Sequence, residues 1–256
     1  MSVWITGDIH GNLQRFSSNI FPEQKEMTKN DTVIILGDFG LVWDYNGENK
    51  TEKYWLDWLE KKPFTTAFID GNHDNFDRLD PYPVEEWHGG KVHYIRPSVI
   101  HLMRGQIFIL EDKSFFAFGG ASSHDISAGI LEPTDPEFKK KKKRLDKDPF
   151  ALYRIHHMSW WERELPSEDE MQEGLNNLKK QNHKVDYIIT HSPCTSLLKQ
   201  MDGGAGSYKS DRLTDYLQKI KETVSCNHWL FGHMHQNQTF HWEKSSCLYE
   251  QIIRIL

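Results

Sequence analysis

Five short apolar runs, each stopped by a glycine or a polar cluster, restrict this chain more than any other feature. Val3-Trp4-Ile5-Thr6 precedes Gly7-Asp8-Ile9-His10-Gly11, and Val33-Ile34-Ile35-Leu36 precedes Gly37-Asp38. Ala67-Phe68-Ile69-Asp70 runs into Gly71-Asn72-His73-Asp74, Tyr187-Ile188-Ile189-Thr190 into His191, and Trp229-Leu230-Phe231 into Gly232-His233-Met234-His235. A short β-branched and aromatic run reads as a buried strand, and the glycine or polar cluster after it as the turn at its carboxyl end. In open α/β sheets, ligands gather outside those carboxyl ends. Residues far apart in sequence thus converge on one rim, all of them offering oxygen or imidazole nitrogen.

The order Asp-x-His, Gly-Asp, Gly-Asn-His-Asp, His, Gly-His-x-His resembles the calcineurin-like metallophosphoesterase family, with motifs spanning residues 7 to 235. Asp-x-His or His-x-His alone is commonly structural; the five together, in order and each after a predicted strand, supply the context a motif needs. The resemblance implies an αββα sandwich of two mixed sheets flanked by helices. It also implies two divalent ions sharing Asp38 as a bridge. The first ion would take Asp8, His10, Asp38 and His235, and the second Asp38, Asn72, His191 and His233. Imidazole and carboxylate suit Mn, Fe, Zn, Co or Ni, and no thiolate takes part. A paired metal site lowers the pKa of a shared water, so that a hydroxide can attack phosphorus in line. His73 resembles the family's catalytic histidine, acting as general acid or oxyanion stabiliser.

One motif departs from the family's protein phosphatases, which continue the second motif as Gly-Asp-x-x-Asp-Arg. Here Leu41 and Val42 stand at those two places. The arginine that grips phosphate and the carboxylate that orients the histidine must come from elsewhere. Asp44 and Asp74 are candidates for the carboxylate, although Asp74 better suits fixing its loop. Arg78 and Arg104 read as surface or structural arginines. Gly119-Gly120-Ala121-Ser122-Ser123-His124-Asp125 follows a predicted strand, so His124 and Asp125 are candidate substrate contacts against the plainer reading of a turn. His88, His93, His101, His183, His228 and His241 fit no motif and read as surface or core residues.

The formal charge of −6 gives no support to bulk electrostatic attraction of nucleic acid. Cys194, Cys226 and Cys247 are odd in number and lack a CxxC spacing, which suggests core-filling thiols in a reducing compartment. The first predicted strand starts almost at once, with no signal-like segment before it, and no apolar run approaches the ~20 residues of a membrane span. The expectation is a cytoplasmic protein without a membrane partner.

Between the motifs, helices are expected over Asn12–Ile20, over Glu52–Lys61 with Trp55, Trp58 and Leu59 facing the core, after the Ser167/Glu170 capping box to about Gln181, and over Asp211–Glu222. Residues 91 to 120 alternate as four short antiparallel strands, expected to form a second sheet packed on the first. The tail from Thr239 to Leu256 suggests two closing strands. One domain is expected over residues 1–256, with an irregular insertion at about 121–166. The insertion carries six consecutive basic residues, Lys139 to Arg144, and ends with His156-His157 and Trp160-Trp161. It reads as a solvated basic surface, with a substrate lid or subunit contact as alternatives.

The function implied is hydrolysis of a phosphate monoester or diester, with a small phosphate ester or nucleotide-like molecule as substrate. A nuclease of the same fold is the runner-up, supported only by the basic run. A catalytically inactive metal-binding scaffold is a third class, and the intact ligand set speaks against it.

Overall fold

The structure, a computed structural model, describes residues 1–256 apart from Gly204, Ala205 and Ser207. Its first half is built on β1 (Val3–Thr6), β2 (Thr32–Ile35), β3 (Thr65–Phe68), β4 (Glu85–Trp87), β5 (Gly90–Arg96) and β6 (Val99–Leu102). The second half is built on β7 (Gln106–Leu110), β8 (Lys113–Phe118), β11 (Tyr187–Thr190), β12 (His228–Phe231), β13 (Gln238–Phe240) and β14 (Ser245–Cys247). β15 (Ile252–Arg254) returns to the first sheet, giving the order β15-β1-β2-β3-β6-β5-β4, while the second sheet runs β13-β14-β12-β11-β8-β7. In both, the central strands are parallel and the outer ones antiparallel. Ligand-bearing loops follow only central strands, so their carboxyl ends point to one rim.

Side-chain alternation makes the layers. Val33 and Ile35 face α1 (Lys50–Glu60), whereas Ile34 and Leu36 face the opposite sheet, where they meet Phe108, Phe115, Ile189 and Leu230. All of these are fully buried, each contributing about 1.5–3 kcal/mol of burial. The outer face of the second sheet is covered by α4 (Glu168–Lys180), α5 (Thr195–Met201) and α6 (Arg212–Thr223). The result is the αββα sandwich, with both sheets covered on both faces and their central strands almost entirely buried.

Several local expectations need correction. Residues 91–120 do not form one sheet: β5 and β6 extend the first sheet, and β7 and β8 the second. Pairing of Ile100 with Ala67 and of Ala117 with Ile189 decides this, and neither contact is local. In place of a helix over Asn12–Ile20 there is one 3-10 turn, Gln14–Phe16. Leu56 and Leu59 carry the buried face of α1, and Trp55 and Trp58 are half-buried at its margin. The capping boxes at Ser167/Glu170 and Asp211/Thr214 open α4 and α6. The tail holds three short strands, not two. The 121–166 segment is not irregular throughout, for it contains β9 (Ile130–Leu131), α3 (Phe138–Leu145) and β10 (Arg154–Ile155), and its Trp161 Nε1 donates to Asp77 of the short helix α2 (Phe76–Leu79).

Candidate metal centre

The loops after β1 and β2 are knitted together before any side chain is considered. His10 N–H donates to the Asp38 carbonyl at 2.8 Å and Gly11 N–H to that of Phe39 at 3.0 Å. Arg15 donates to the carbonyls of Asp8 and Tyr249, holding the first loop against the tail. Strain gathers here as well: His10, Asp38, His233 and His235 all have positive φ, between 44° and 65°. Such conformations cost about 1–3 kcal/mol each and persist where the surroundings over-determine them. Gly71 shows how close the packing is, since a Cβ there would collide with Asp38 Oδ1 and the Asp38 backbone nitrogen.

Four of the seven candidate ligands form one cluster. Single donor atoms of Asp8, His10, Asp38 and His235 all lie within 4.8 Å of one another. Within it, His235 Nε2 is 3.1 Å from Asp8 Oδ2, and His10 Nε2 is 3.5 Å from Asp38 Oδ2. The other oxygen of Asp38 faces a second group: His191 Nε2 is 3.4 Å from Asp38 Oδ1 and 3.4 Å from Asn72 Oδ1. His191 Nδ1 lies 2.6 Å from the Leu36 carbonyl, to which it donates, leaving Nε2 bare toward Asp38. Asn72 is turned the same way, because its Nδ2 donates to Ser123 Oγ at 3.3 Å. His233 is less closely engaged. Its ring lies 5.0 Å from that of His191, while its Nε2 is 2.9 Å from His124 Nε2.

The electrostatics favour cations. Burial opposes charge on His191, but Asp38 and Asp8 outweigh it and raise its pKa. For Asp8, burial is likewise outweighed by His191 and by hydrogen bonds from His235 and His233, so its carboxyl is lowered. Burial and the charge of His191 push His233 well below the usual imidazole range, leaving it neutral and able to ligate. A buried carboxylate with an oxygen toward each group, surrounded by imidazoles and an amide oxygen, is a donor set that fits two borderline divalent cations.

His73 stands beside this cluster, between the ring of His10 at 5.0 Å and that of Trp43 at 5.7 Å. Its backbone N–H donates to Asp38 Oδ1. Burial, with Arg154 and His10 acting the same way against Asp38, lowers its pKa to about 4. Neither carboxylate candidate reaches its ring in a hydrogen bond. Asp74 accepts from the N–H of Gly71, Gly40 and Phe39, and so fixes the loops. Asp44 accepts from Asn46 and Asn49. The partner of His73 is Arg154, whose Nη2 lies 2.7 Å from Nε2 and can only donate. Arg154 Nε in turn donates to Asp125 at 2.6 Å. Sequence reasoning missed Arg154: it is the lone arginine between Arg144 and Arg163, in a stretch without a motif. It also missed Ser123 and the buried Glu164 behind it, which burial pushes up to about 8.

A cavity of 260 Å³ opens over these groups, lined by Asp38, Asn72, His73, His124, Asp125, Arg154, Tyr208, His233, Met234 and His235. The two weaker candidates, His124 and Asp125, thus lie on its wall. Arg78 and Arg104 do not; they pair with Glu52 and with buried Asp70.

With this geometry in view, comparison with known proteins is direct. A family description, calcineurin-like phosphoesterase, matches residues 1–237. The chain belongs to that family. Its members are metal-dependent phosphoesterases. The chain is similar to lariat debranching enzyme A of Xenopus laevis, with 29% identity over 149 residues, 52% of this chain and 26% of that protein. It therefore spans about a quarter of that relative's length. Among solved structures it is similar to a phosphopantetheinyl hydrolase of Mycobacterium tuberculosis, with 13% identity, 100% and 95% coverage of the two chains and a TM-score of 0.38. A putative 5'-nucleotidase of Staphylococcus aureus gives 13% identity, 97% and 48% coverage and a TM-score of 0.46.

Proposed function

We propose that this member of the family hydrolyses a phosphate monoester or diester at a centre of two divalent transition-metal ions. The observation that carries the reading is the Asp8, His10, Asp38 and His235 cluster, with the second oxygen of Asp38 facing His191 and Asn72. Asp8, His10, Asp38 and His235 would hold one ion; Asp38, Asn72, His191 and His233 would hold the other. When bound, the ions supply Lewis acidity and make hydroxide available near neutral pH. His73, on the cavity wall beside Asp38, would serve the leaving oxygen as general acid or oxyanion stabiliser, a role for which the anionic ester beside it must raise its lowered pKa. Its contact with Arg154 keeps the ring in place when no ester is bound. Residues 1–256 act as one catalytic unit, a reading supported by ligands drawn from both sheets and by the shared core between them.

A nuclease of the same fold gains nothing from the basic run. Lys140, Lys141 and Lys142 are engaged with Glu137, Asp135 and Asp146, and no residue from 139 to 144 lines the cavity. We place the protein in a reducing, cytoplasmic setting on the strength of three free cysteines. Among the described residues no helix is long and apolar enough to cross a membrane. The test is a panel of aryl monoesters, diesters, nucleotides and cyclic nucleotides, each assayed with Mn and with a chelator. Turnover only with metal is expected; no turnover of any ester with Mn present would refute the reading.

A further inference from the structure

We propose that Arg154, carried to the cavity by the 121–166 segment, is the residue that grips the substrate's phosphate. The inference rests on the phosphoesterase reading above and adds a residue to it. Arg154 is 5% exposed, yet its guanidinium forms part of the cavity wall beside Asp38, Asn72 and His73. Pairing of Arg154 with Ile130 and the bond from Ile155 N–H to Ser159 Oγ hold its backbone in place.

Its hydrogen bonds leave capacity for a ligand. A guanidinium has five N–H donors and stays charged at any pH a protein tolerates. Nε donates to Asp125, one Nη1 hydrogen to the Ser159 carbonyl and one Nη2 hydrogen to His73. One hydrogen on each terminal nitrogen is left without a partner among the described residues. A charged guanidinium with N–H groups to spare can donate to the non-bridging oxygens of a phosphate, a ligand for which arginine is well suited.

No other lysine or arginine competes for the role. Arg154 is the one lysine or arginine on the cavity wall among the described residues. The loop after β2 cannot supply a cation, since Leu41 and Val42 stand where protein phosphatases of the family carry Asp-Arg, and both are buried in the core. Asp125, the carboxylate paired with Arg154, is half exposed at 47% and balances only part of a cation held in a cleft. The competing role is a clamp that ties the 121–166 segment to the body through His73, with Asp125 and Ser159 bracing the guanidinium from within the segment.

Binding of inorganic phosphate to the Mn-loaded chain, followed by calorimetry, separates the two. Arg154→Ala should weaken phosphate by about 10- to 100-fold, the usual value of hydrogen bonds to a charged group, with metal content unchanged. Arg154→Lys should fall between. Asp125→Asn keeps the guanidinium and an oxygen that accepts from its Nε but removes the competing negative charge, so phosphate should bind at least as tightly as to the parent. Should Arg154→Ala fail to fold, Arg154→Gln, which can still donate to Asp125, carries the same expectation. Parent-like phosphate affinity in the Ala or Gln variant would overturn the proposal, as would equal weakening by Asp125→Asn. Turnover of an aryl phosphate by the parent, measured alongside, tests the phosphoesterase reading separately.

Discussion

The backbone N–H of His73 donates to Asp38 Oδ1 at 2.7 Å, so the loop carrying the candidate catalytic histidine also positions the candidate bridging carboxylate. The same oxygen lies 3.4 Å from His191 Nε2, and Oδ2 lies 3.5 Å from His10 Nε2. Asp38 thus directs one carboxylate oxygen toward each ligand group. Asp38→Asn should lose metal and activity together, because an amide keeps the shape without the charge that offsets two cations. Elemental analysis beside an ester assay checks this; two tightly held ions in the variant would remove Asp38 from the bridging role.

His73→Asn should leave metal content nearly intact while lowering kcat by roughly 10²–10⁴, the usual value of positioned proton transfer. The loss should shrink for nitrophenyl esters, whose leaving group needs little protonation, and grow for alkyl esters. Equal losses on both would assign His73 to positioning alone.

How much of this was legible in the sequence depended on distance along the chain. Gly71-Asn72-His73-Asp74 is readable because the strand and its ligands are contiguous, and the sandwich is readable because five such units recur. Strand membership in residues 91–120 was not, since the split between sheets is decided by β3 and β11, many residues away. The 12–20 helix is cut short because Arg15 turns inward to the carbonyls of Asp8 and the distant Tyr249, and the turn ends after Phe16. Arg154 left no trace, because its neighbours in the site, His73 and Asp125, come from other parts of the chain.

Away from the centre, Asp70 and Arg104 form a buried ion pair, with Nη2 to Oδ2 at 2.5 Å and His101 at the other oxygen. Burial works to raise the Asp70 carboxyl, but Arg104 and His101 outweigh it and hold it far below the usual carboxylate range. A depressed carboxylate stabilises the fold above its unfolded pKa of about 4, and that contribution is lost as pH falls through the folded value. Removing one partner leaves a buried charge, so Arg104→Ala should cost about 3–5 kcal/mol in urea unfolding at pH 7. The difference from the parent should narrow below about pH 4. A difference that widens in acid would contradict the assignment.

Replacing Lys139, Lys140, Lys141, Lys142 and Lys143 by Gln should leave KM for an aryl phosphate unchanged. α3 has no buried residue, and exposed ion pairs of this kind contribute about 0–1 kcal/mol. Steady-state kinetics at low salt, where long-range attraction is least screened, is the sensitive condition. A rise in KM that disappears with added salt would make the helix part of a substrate-attracting lid.

The central claim is a shared two-metal centre that hydrolyses phosphate esters, and a Mn titration of chelator-treated protein tests it most directly. Ion content by elemental analysis and nitrophenyl phosphate turnover would be measured in the same samples. The account predicts two ions per chain at saturation, no turnover with chelator, and full turnover only as the second ion fills. One ion at saturation, or full turnover with chelator present, would contradict it.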